Sequence, residues 1–257
     1  MRNILLVLAY DGTQYHGFQR QANALTIQQL TEDALTKITK SPVKLTGCSR
    51  TDAGVHAAAY VCNFLTDARI PAEKVPYALN TYLPKDVSCI YGADTAPGFH
   101  ARFSAKSKIY QYRIYNTPHP HPLFCRYAWH YPVRLDFAQM KKAAAYFPGE
   151  RDFRAFMASG GQQKNMVKQL YSLELTRSGP LYTMTVHANS YLYNMVRIIA
   201  GTLAYVGNGK IAAEDLPAII ASGDRTRAGI TAPPEGLCLQ KVFYDSDLCS
   251  FELETGL

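Results

Sequence analysis

The feature that most constrains the fold is a long hairpin in the second half of the chain. Two strand-like runs, residues 167–176 and 181–188, flank a Ser-Gly-Pro turn at 178–180. Strands joined by so short a turn must run antiparallel, because a parallel pair needs a crossover of a dozen or more residues. Residues 108–115 also alternate with a period of two, which is typical of a strand. These patterns favour an α+β fold with mainly antiparallel sheets over a doubly wound parallel sheet.

Amphipathic helices are predicted in both halves. Thr26 is a candidate N-cap, and Gln29 completes a capping box before an apolar stripe. Asp136 and Gln139 repeat this pattern at a second helix, and a third is predicted from about residue 191 to residue 206. A proline at position 76 predicts that the helix around it is short or broken. The apolar stripe of the first helix comprises Ile27, Leu30, Ala34, Leu35 and Ile38.

Strands interleave with these helices along a chain that, at 257 residues, can bury a sizeable core. We predict two modules, residues 1–104 and 105–257, each with helices on one face of a mainly antiparallel sheet. The remaining strands are predicted at residues 3–10, 44–47, 58–64, 88–92 and 238–244.

The charge balance fits a polyanionic partner. The formal net charge is +7, and several basic residues lie among tyrosines, a combination that suits exposed bases and phosphates. A solvated basic face explains the same composition equally well. No apolar run approaches the length of a membrane span, and no secretion signal is recognisable, so the sequence predicts a cytoplasmic protein.

The cysteine and histidine patterns give no metal site. The six cysteines include no CxxC pair, and a chain with its own core needs no disulfides, so we expect reduced and mostly buried thiols. The Pro-His-Pro-His-Pro segment at 118–122 lacks the carboxylate or thiolate ligands that a metal ion would need.

A polar turn at residues 47–57 carries the densest set of functional groups. Its sequence is GCSRTDAGVHA, in which Asp52 has Arg50 two residues before it and Gly54 two residues after it. Strand ends aim side chains into clefts, which favours a catalytic carboxylate. An aspartate in a turn also commonly bonds its own backbone. Taken alone, the turn leaves both interpretations of Asp52 open.

Five separated segments together resemble one known family, the TruA-type tRNA pseudouridine synthases. Their order and spacing extend nearly from end to end of the chain. The segments are SRTDAGVHA at 49–57, YDG with YHGFQRQ at 10–21, FHARFSA with KIYQYR at 99–113, YNMVR with GTL at 193–203, and APPEGL at 232–237.

The resemblance implies a fold of two α+β modules whose sheets join, with the active cleft between them. It also implies isomerisation of uridine to pseudouridine at nucleotides 38 to 40, in the anticodon stem-loop of tRNA, by a homodimer. That reaction involves no redox change, net hydrolysis or phosphate transfer, so it requires neither a metal nor a coenzyme.

By this resemblance Asp52 is the catalytic carboxylate, Tyr110 stacks on the flipped uracil, and Arg197 pairs with Asp52. On its helix Arg197 is offset from the core stripe, a position that is usually solvent-facing. Further substrate contacts are assigned to Arg50, Leu237, Arg20, Arg102 and Lys106.

One departure from the family pattern is Ser49, where many members have glycine before the arginine; it bears on loop geometry and not on the assignment. Cys48 beside the turn is expected to be a small buried residue and not the nucleophile.

Two other functions remain open on the sequence. A non-catalytic RNA-binding protein would keep the fold but should have lost Asp52 or Arg197, and both are present. A hydrolase would use Asp52 as nucleophile and His56 as base. Against the hydrolase, the chain has neither a phosphate-cradling glycine loop nor a GxSxG elbow.

Overall fold

The structure is a computed structural model that describes residues 1–161 and 163–245. These residues form two compact units. The first comprises Met1–Lys106 and the chain from Leu239, and the second comprises Ser107–Cys238. The chain therefore leaves the first unit, builds the second, and returns to the first within its last strand.

The first unit contains a mainly antiparallel sheet. Its central strand β1 pairs with β3 on one side and β4 on the other, while short β2 pairs with β3. The final strand β10 follows β3 in the strand order. The strands are β1 (Arg2–Tyr10), β2 (Thr46–Gly47), β3 (His56–Thr66), β4 (Val87–Thr95) and β10 (Leu237–Phe243), the last contributing from Leu239 onward.

Two helices belong to this unit. Helix α1 (Ile27–Thr39) begins at the predicted cap, where the Gln29 N–H donates to the Thr26 hydroxyl at 3.3 Å. Helix α2 (Val75–Asn80) is short and carries its proline in the first turn, as predicted. The buried face of α1 is rotated from the predicted stripe: Thr31 and Glu32 are buried whereas Leu30 and Ile38 are half-exposed. The reason is that Glu32 accepts inward hydrogen bonds, including one from the Leu45 N–H.

The second unit contributes five strands of the described sheet, four of which are joined in antiparallel pairs. The predicted hairpin is confirmed: β8 pairs antiparallel with β9, which pairs antiparallel with β5. Two short strands were not predicted, namely β7, antiparallel to β8, and β6, parallel to β5. The strands are β5 (Ser107–Asn116), β6 (Trp129–Tyr131), β7 (Gly149–Asp152), β8 (Val167–Ser178) and β9 (Leu181–Ala188). The α+β class with mainly antiparallel strands is thereby confirmed.

Three helices complete the second unit: α3 (Phe137–Ala144), α4 (Met195–Gly207) and α5 (Leu216–Ser222). Helix α3 has the predicted cap, with the Gln139 N–H donating to the Asp136 carboxylate at 3.1 Å. Helix α4 begins four residues later than predicted, because the preceding Asn194 adopts a left-handed conformation with φ of 61°.

Helix α4 is buried on nearly all sides. Ala200 and Ala204, on the face that Arg197 shares, are 1% and 0% exposed. The chain at 228–232 covers this face so closely that a methyl group on Gly201 would meet the Ile230 carbonyl oxygen at 1.9 Å. The face that usually points to solvent is therefore an internal contact in this protein.

Cys48, Cys62 and Cys89 are buried, as expected for structural thiols, and burial raises the pKa of Cys62 and Cys89. Cys125 is exposed and Cys238 half-buried, while Cys249 lies outside the described residues. Within residues 1–161 and 163–245, no helix has the length and apolarity needed to cross a membrane.

Candidate active site

The aspartate loop, residues 48–55, connects β2 to β3 in the first unit. Asp52 is half-buried, and the two neighbours that flank its turn, Thr51 and Val55, are 8% and 1% exposed. The Val55 N–H donates to the Asp52 carbonyl oxygen at 3.2 Å. Buried anchors on both sides therefore fix the backbone from which the Asp52 carboxylate projects.

The last residue of β1 and the opening loop that follows it (residues 11–26) hold the aspartate loop through three hydrogen bonds. The hydroxyls of Tyr10 and Thr51 lie 3.0 Å apart. The Phe18 N–H donates to the Thr51 carbonyl at 3.2 Å, and the Gly54 N–H donates to the Tyr15 carbonyl at 3.2 Å. Because two of the three bonds involve only backbone atoms, they fix the path of the loop whatever its side chains are.

Two glycines of the opening loop allow this close approach. A methyl group on Gly12 would meet the Val55 carbonyl oxygen at 2.0 Å. Gly17 has φ of +81°, and a methyl group there would meet the Thr51 carbonyl oxygen at 2.3 Å. Both positions exclude any side chain, so the opening loop can pack against the aspartate loop in this way only with glycine at each.

Beneath the loop lies a buried aromatic support. The Tyr60 hydroxyl donates to the Ser49 carbonyl oxygen, and its ring stacks on Phe18 with centroids 4.1 Å apart. Burial raises the pKa of Tyr60, so it remains a neutral donor. Ser49 therefore serves the turn through its backbone. Cys48 is fully buried beside it, which fits the expected packing role, while Arg50 is exposed.

His56 joins the start of β3 to the opening loop. It is 5% exposed, and its Nδ1 atom accepts a hydrogen bond from the Gly12 N–H at 3.0 Å. The same nitrogen lies 3.2 Å from the Asp11 carboxylate. These contacts give His56 a role in positioning the loop, which is not the general-base role that the hydrolase interpretation requires.

The other cations assigned to the first unit lie in different surroundings. Arg20 pairs with Glu32 at 2.8 Å and Lys106 with Asp245 at 2.9 Å, each keeping half or more of its side chain exposed. Arg102 is exposed, with its guanidinium carbon 5.6 Å from the centre of the Phe103 ring.

In the second unit Tyr110 lies on β5 opposite Val186 and is 6% exposed. Its ring meets that of Tyr191 edge-on, with centroids 5.0 Å apart and planes at 84°. The Tyr191 hydroxyl lies 2.8 Å from the carbonyl oxygens of both Lys108 and Val186. Burial raises the pKa of Tyr191, so it is a neutral donor that holds its ring against Tyr110.

Tyr112, two residues along β5, has a different task. It is fully buried, and its hydroxyl donates to the Pro233 carbonyl oxygen at 2.7 Å. A methyl group on Gly236 would meet the Tyr112 ring at 2.6 Å. Tyr112 therefore holds the closing loop (residues 232–237), whose last residue, Leu237, is 7% exposed and begins β10.

Arg197 lies in the first turn of α4 and is half-buried. Its Nε donates to the Ala232 carbonyl oxygen at 2.7 Å, and its Nη1 donates to the Asn194 side-chain oxygen at 2.9 Å. The Ala232 N–H in turn donates to the Arg197 carbonyl oxygen at 3.1 Å. Helix α4, which we call the arginine helix, and the closing loop are thus joined at Arg197.

Sequence analysis did not identify Asn194 or Tyr191 as members of this arrangement. For Asn194 a usable signal exists, since asparagine tolerates the left-handed conformation that ends an irregular segment at a helix start. For Tyr191 no signal exists among the 18 tyrosines of the chain.

Comparisons with known proteins identify the family of this chain. The model of a family described as tRNA pseudouridine synthase matches residues 6–104 and 143–245. The proteins named tRNA pseudouridine synthase A from Thermoanaerobacter pseudethanolicus and Ruminiclostridium cellulolyticum are each 48% identical, over 244 and 245 residues. The one from Geotalea uraniireducens is 46% identical over 244 residues. Each match covers 95% of this chain and 100% of the relative.

The predicted family and its enzyme class, isomerase, are thereby confirmed. The matched residues include the aspartate loop, Arg197 and the closing loop. By extent and by identity, this chain belongs to the tRNA pseudouridine synthase family.

Proposed function

We propose that this protein isomerises uridine at nucleotides 38 to 40 in the anticodon stem-loop of tRNA, with Asp52 as its catalytic carboxylate and without a cofactor. Membership of the family establishes the coarser activity, formation of pseudouridine in tRNA. The observation that carries the proposal is the half-buried Asp52 on a loop whose flanking residues are buried and hydrogen-bonded. A reacting group must be held rigidly if it is to meet a substrate in one geometry.

The reaction sets the demands on these residues. The bond between ribose C1′ and uracil N1 breaks, the uracil turns over, and a bond forms between C1′ and C5. The proton on C5 is then released and N1 takes up a proton, so the product is an isomer of uridine and no external reactant is consumed. Asp52 either attacks C1′ and is later displaced by C5, or first removes a proton from the ribose.

Tyr110 is proposed to stack on the flipped uracil, and its hydroxyl to manage the proton at C5. Its edge-on contact with Tyr191 supports this role, because that contact fixes the plane of the Tyr110 ring. Tyr110→Phe and Tyr110→Ala separate the two functions. Turnover that survives Tyr110→Phe but not Tyr110→Ala assigns the effect to stacking alone.

Arg197 is proposed to form an ion pair with Asp52, which keeps the carboxylate ionised in surroundings poor in water. Its two side-chain hydrogen bonds support the proposal, since they hold the guanidinium in one orientation. In Arg197→Met the acidic limb of the pH–activity profile should move to higher pH. An unchanged acidic limb would refute the pair.

Arg50 is proposed to steady the extruded nucleotide, by contacting a phosphate or by filling the vacated stack, and its exposure suits either. Leu237 is proposed to pack against the uracil. The proposed contacts to the RNA backbone come from Arg20, Arg102 and Lys106. Neutralising any one of these three should weaken tRNA binding and reduce its salt dependence without removing the reaction. For Arg20 and Lys106 the contact would compete with the ion pairs described above.

A homodimer in which one anticodon arm reaches across both subunits is part of the same proposal. Sedimentation of the free protein and of its tRNA complex tests the stoichiometry.

Incubation with tRNA tritiated at uracil C5 tests the function, because isomerisation releases that tritium while RNA binding or hydrolysis does not. Wild-type protein should release it and Asp52→Asn should not. Mapping pseudouridines in tRNA from cells that lack the protein then tests which nucleotides are modified. Loss of pseudouridine only at nucleotides 38 to 40 supports the proposal, and loss of pseudouridine elsewhere overturns the assigned positions. The alternative, an RNA-binding protein without the reaction, predicts binding with no tritium release.

A further inference from the structure

Lys168, the second residue of β8, is a buried cation that none of the roles above explains. Only 8% of the Lys168 surface is exposed. Its ammonium group donates to the Asn165 carbonyl oxygen at 2.8 Å. Burial lowers its pKa, which shows that the charged form is poorly solvated.

The missing element is a counter-charge. Ion pairs join other cations of the chain to carboxylates, as in Arg2–Asp94 and Lys142–Glu214. Among the residues that the structure describes, no carboxylate lies within ion-pair distance of Lys168. A buried charge without a partner lowers stability, and an apolar side chain of similar volume would serve the fold better. Ion pairing within the described residues therefore does not account for a lysine at this position.

The strand register places Lys168 on the same sheet face as Tyr110. Lys108, Ala188 and Leu170 are directly paired across the three strands, so their side chains share one face. Tyr110 lies two residues beyond Lys108, and Lys168 lies two residues before Leu170. Because successive side chains alternate, both share that face, with Cα atoms about 16 Å apart by ideal strand geometry.

The segment that leads from β9 to the arginine helix passes next to Lys168. Asn189, on the segment from β9 to α4, exchanges two hydrogen bonds with Gln169, the residue that follows Lys168. Arg197 lies in the first turn of the helix that this segment enters. Lys168 thus belongs to the same part of the second unit as the two residues to which we assign the reaction.

We propose that Lys168 binds a phosphate of the RNA strand that carries the target uridine. This inference rests on the proposed function for the identity of the anion. In the complex, the RNA phosphate supplies the negative charge that no described carboxylate provides. Lysine suits this contact because its ammonium group is a compact cation with three hydrogen-bond donors. The interaction forms only in the complex, so it contributes to binding at the expense of stability in the free protein.

The test compares Lys168→Met and Lys168→Arg with the matched control Lys210→Met. Lys210 is an exposed lysine of the same unit, beyond the opposite end of α4. For each protein we would measure KM and kcat for pseudouridine formation, the Kd for tRNA at several salt concentrations, and the melting temperature. Binding is measured separately from the reaction, so it reports on Lys168 even if the proposed nucleotides are wrong.

Lys168→Met is expected to raise KM and the tRNA Kd about tenfold. It should reduce the slope of log Kd against log salt by about 0.7, as expected for one lost phosphate contact on a single strand. Its melting temperature should equal or exceed that of wild type. Lys168→Arg should retain the slope, and Lys210→Met should match wild type.

A Lys168→Met protein with the wild-type salt slope and Kd would overturn the proposal. So would one whose melting temperature falls while the slope is unchanged, because that result assigns Lys168 a structural role. Pseudouridine found outside the anticodon arm would instead refute the proposed function and leave the salt-slope test of Lys168 standing.

Discussion

The aspartate loop and the arginine helix hold the residues to which we assign the reaction in opposite ways. Asp52 is positioned indirectly, through buried neighbours and backbone hydrogen bonds that glycines of the opening loop make possible. Arg197 is positioned directly, because its own guanidinium donates to a carbonyl and to an amide oxygen. The difference teaches that close packing of the loop backbone can position a short carboxylate side chain, whereas a long flexible cation needs its donors fixed one by one.

The largest effect is expected from replacing Asp52, which removes the proposed catalytic carboxylate but not the hydrogen bonds of the loop backbone. Asp52→Asn should reduce turnover by at least about a thousandfold, because the amide cannot act as nucleophile or base. Its melting temperature should stay close to that of wild type, since the loop is held by other atoms. Tritium release and thermal unfolding measure the two quantities. Substantial turnover in Asp52→Asn would contradict the proposed chemistry.

The next largest effect is expected at Gly17, where the opening loop packs against the backbone of the aspartate loop. Gly17→Ala should lower the free energy of unfolding by about 2–4 kcal/mol, because it forces alanine into a left-handed conformation and against a carbonyl oxygen. Turnover of the folded fraction should fall as well. Gly98→Ala is the control, since a methyl group there meets nothing within 4 Å. Equal denaturation midpoints for the two variants would refute the glycine argument.

Substitutions of Asn194 test whether its hydrogen bond with the Arg197 guanidinium positions that side chain. Both Asn194→Gly and Asn194→Ala remove the oxygen that accepts from the guanidinium, and we expect kcat to fall about tenfold in each. Only Asn194→Ala should also lose stability, by about 1 kcal/mol, because glycine adopts the left-handed conformation without cost. If both variants keep the wild-type kcat, the amide oxygen does not position Arg197.

The smallest expected effect concerns the hydroxyl pair of the aspartate loop. Tyr10→Phe should lower the free energy of unfolding by about 1 kcal/mol, because it leaves the buried Thr51 hydroxyl without this partner. Turnover should change less than in the Asn194 variants, since the backbone bonds that hold the loop remain. A larger loss of turnover than in Asn194→Gly would reverse the comparison between the two regions.

Most of the fold was predictable because the chain signals it locally. Hairpin β8–β9 and the caps of α1 and α3 depend on neighbours in sequence, and their predictions are confirmed. Strand β6 has only three residues and pairs in parallel with β5. Nothing in such a short segment indicates a strand, because its pairing depends on a distant partner.

For the candidate site, the sequence proposed the functional groups, whose roles stay predictions, but it did not indicate the residues that support them. The polar turn marked Asp52, and family resemblance selected Arg197 and Tyr110 from among many similar residues. The rotation of α1 could not be foreseen, because Glu32 is buried to accept hydrogen bonds from Arg20 and Leu45, which lie outside the helix. The burial of Lys168 could not be predicted either, because a lysine near the start of a strand such as β8 is usually exposed to solvent.

The return of the chain into the first unit also constrains how the protein is made. On the ribosome, a nascent polypeptide of about two hundred residues would have its aspartate loop but not the strand that follows β3 in the sheet order. Truncation after the second unit should therefore harm the module that was synthesised first. A permuted gene that begins at β10 would deliver that strand before the remainder of its sheet.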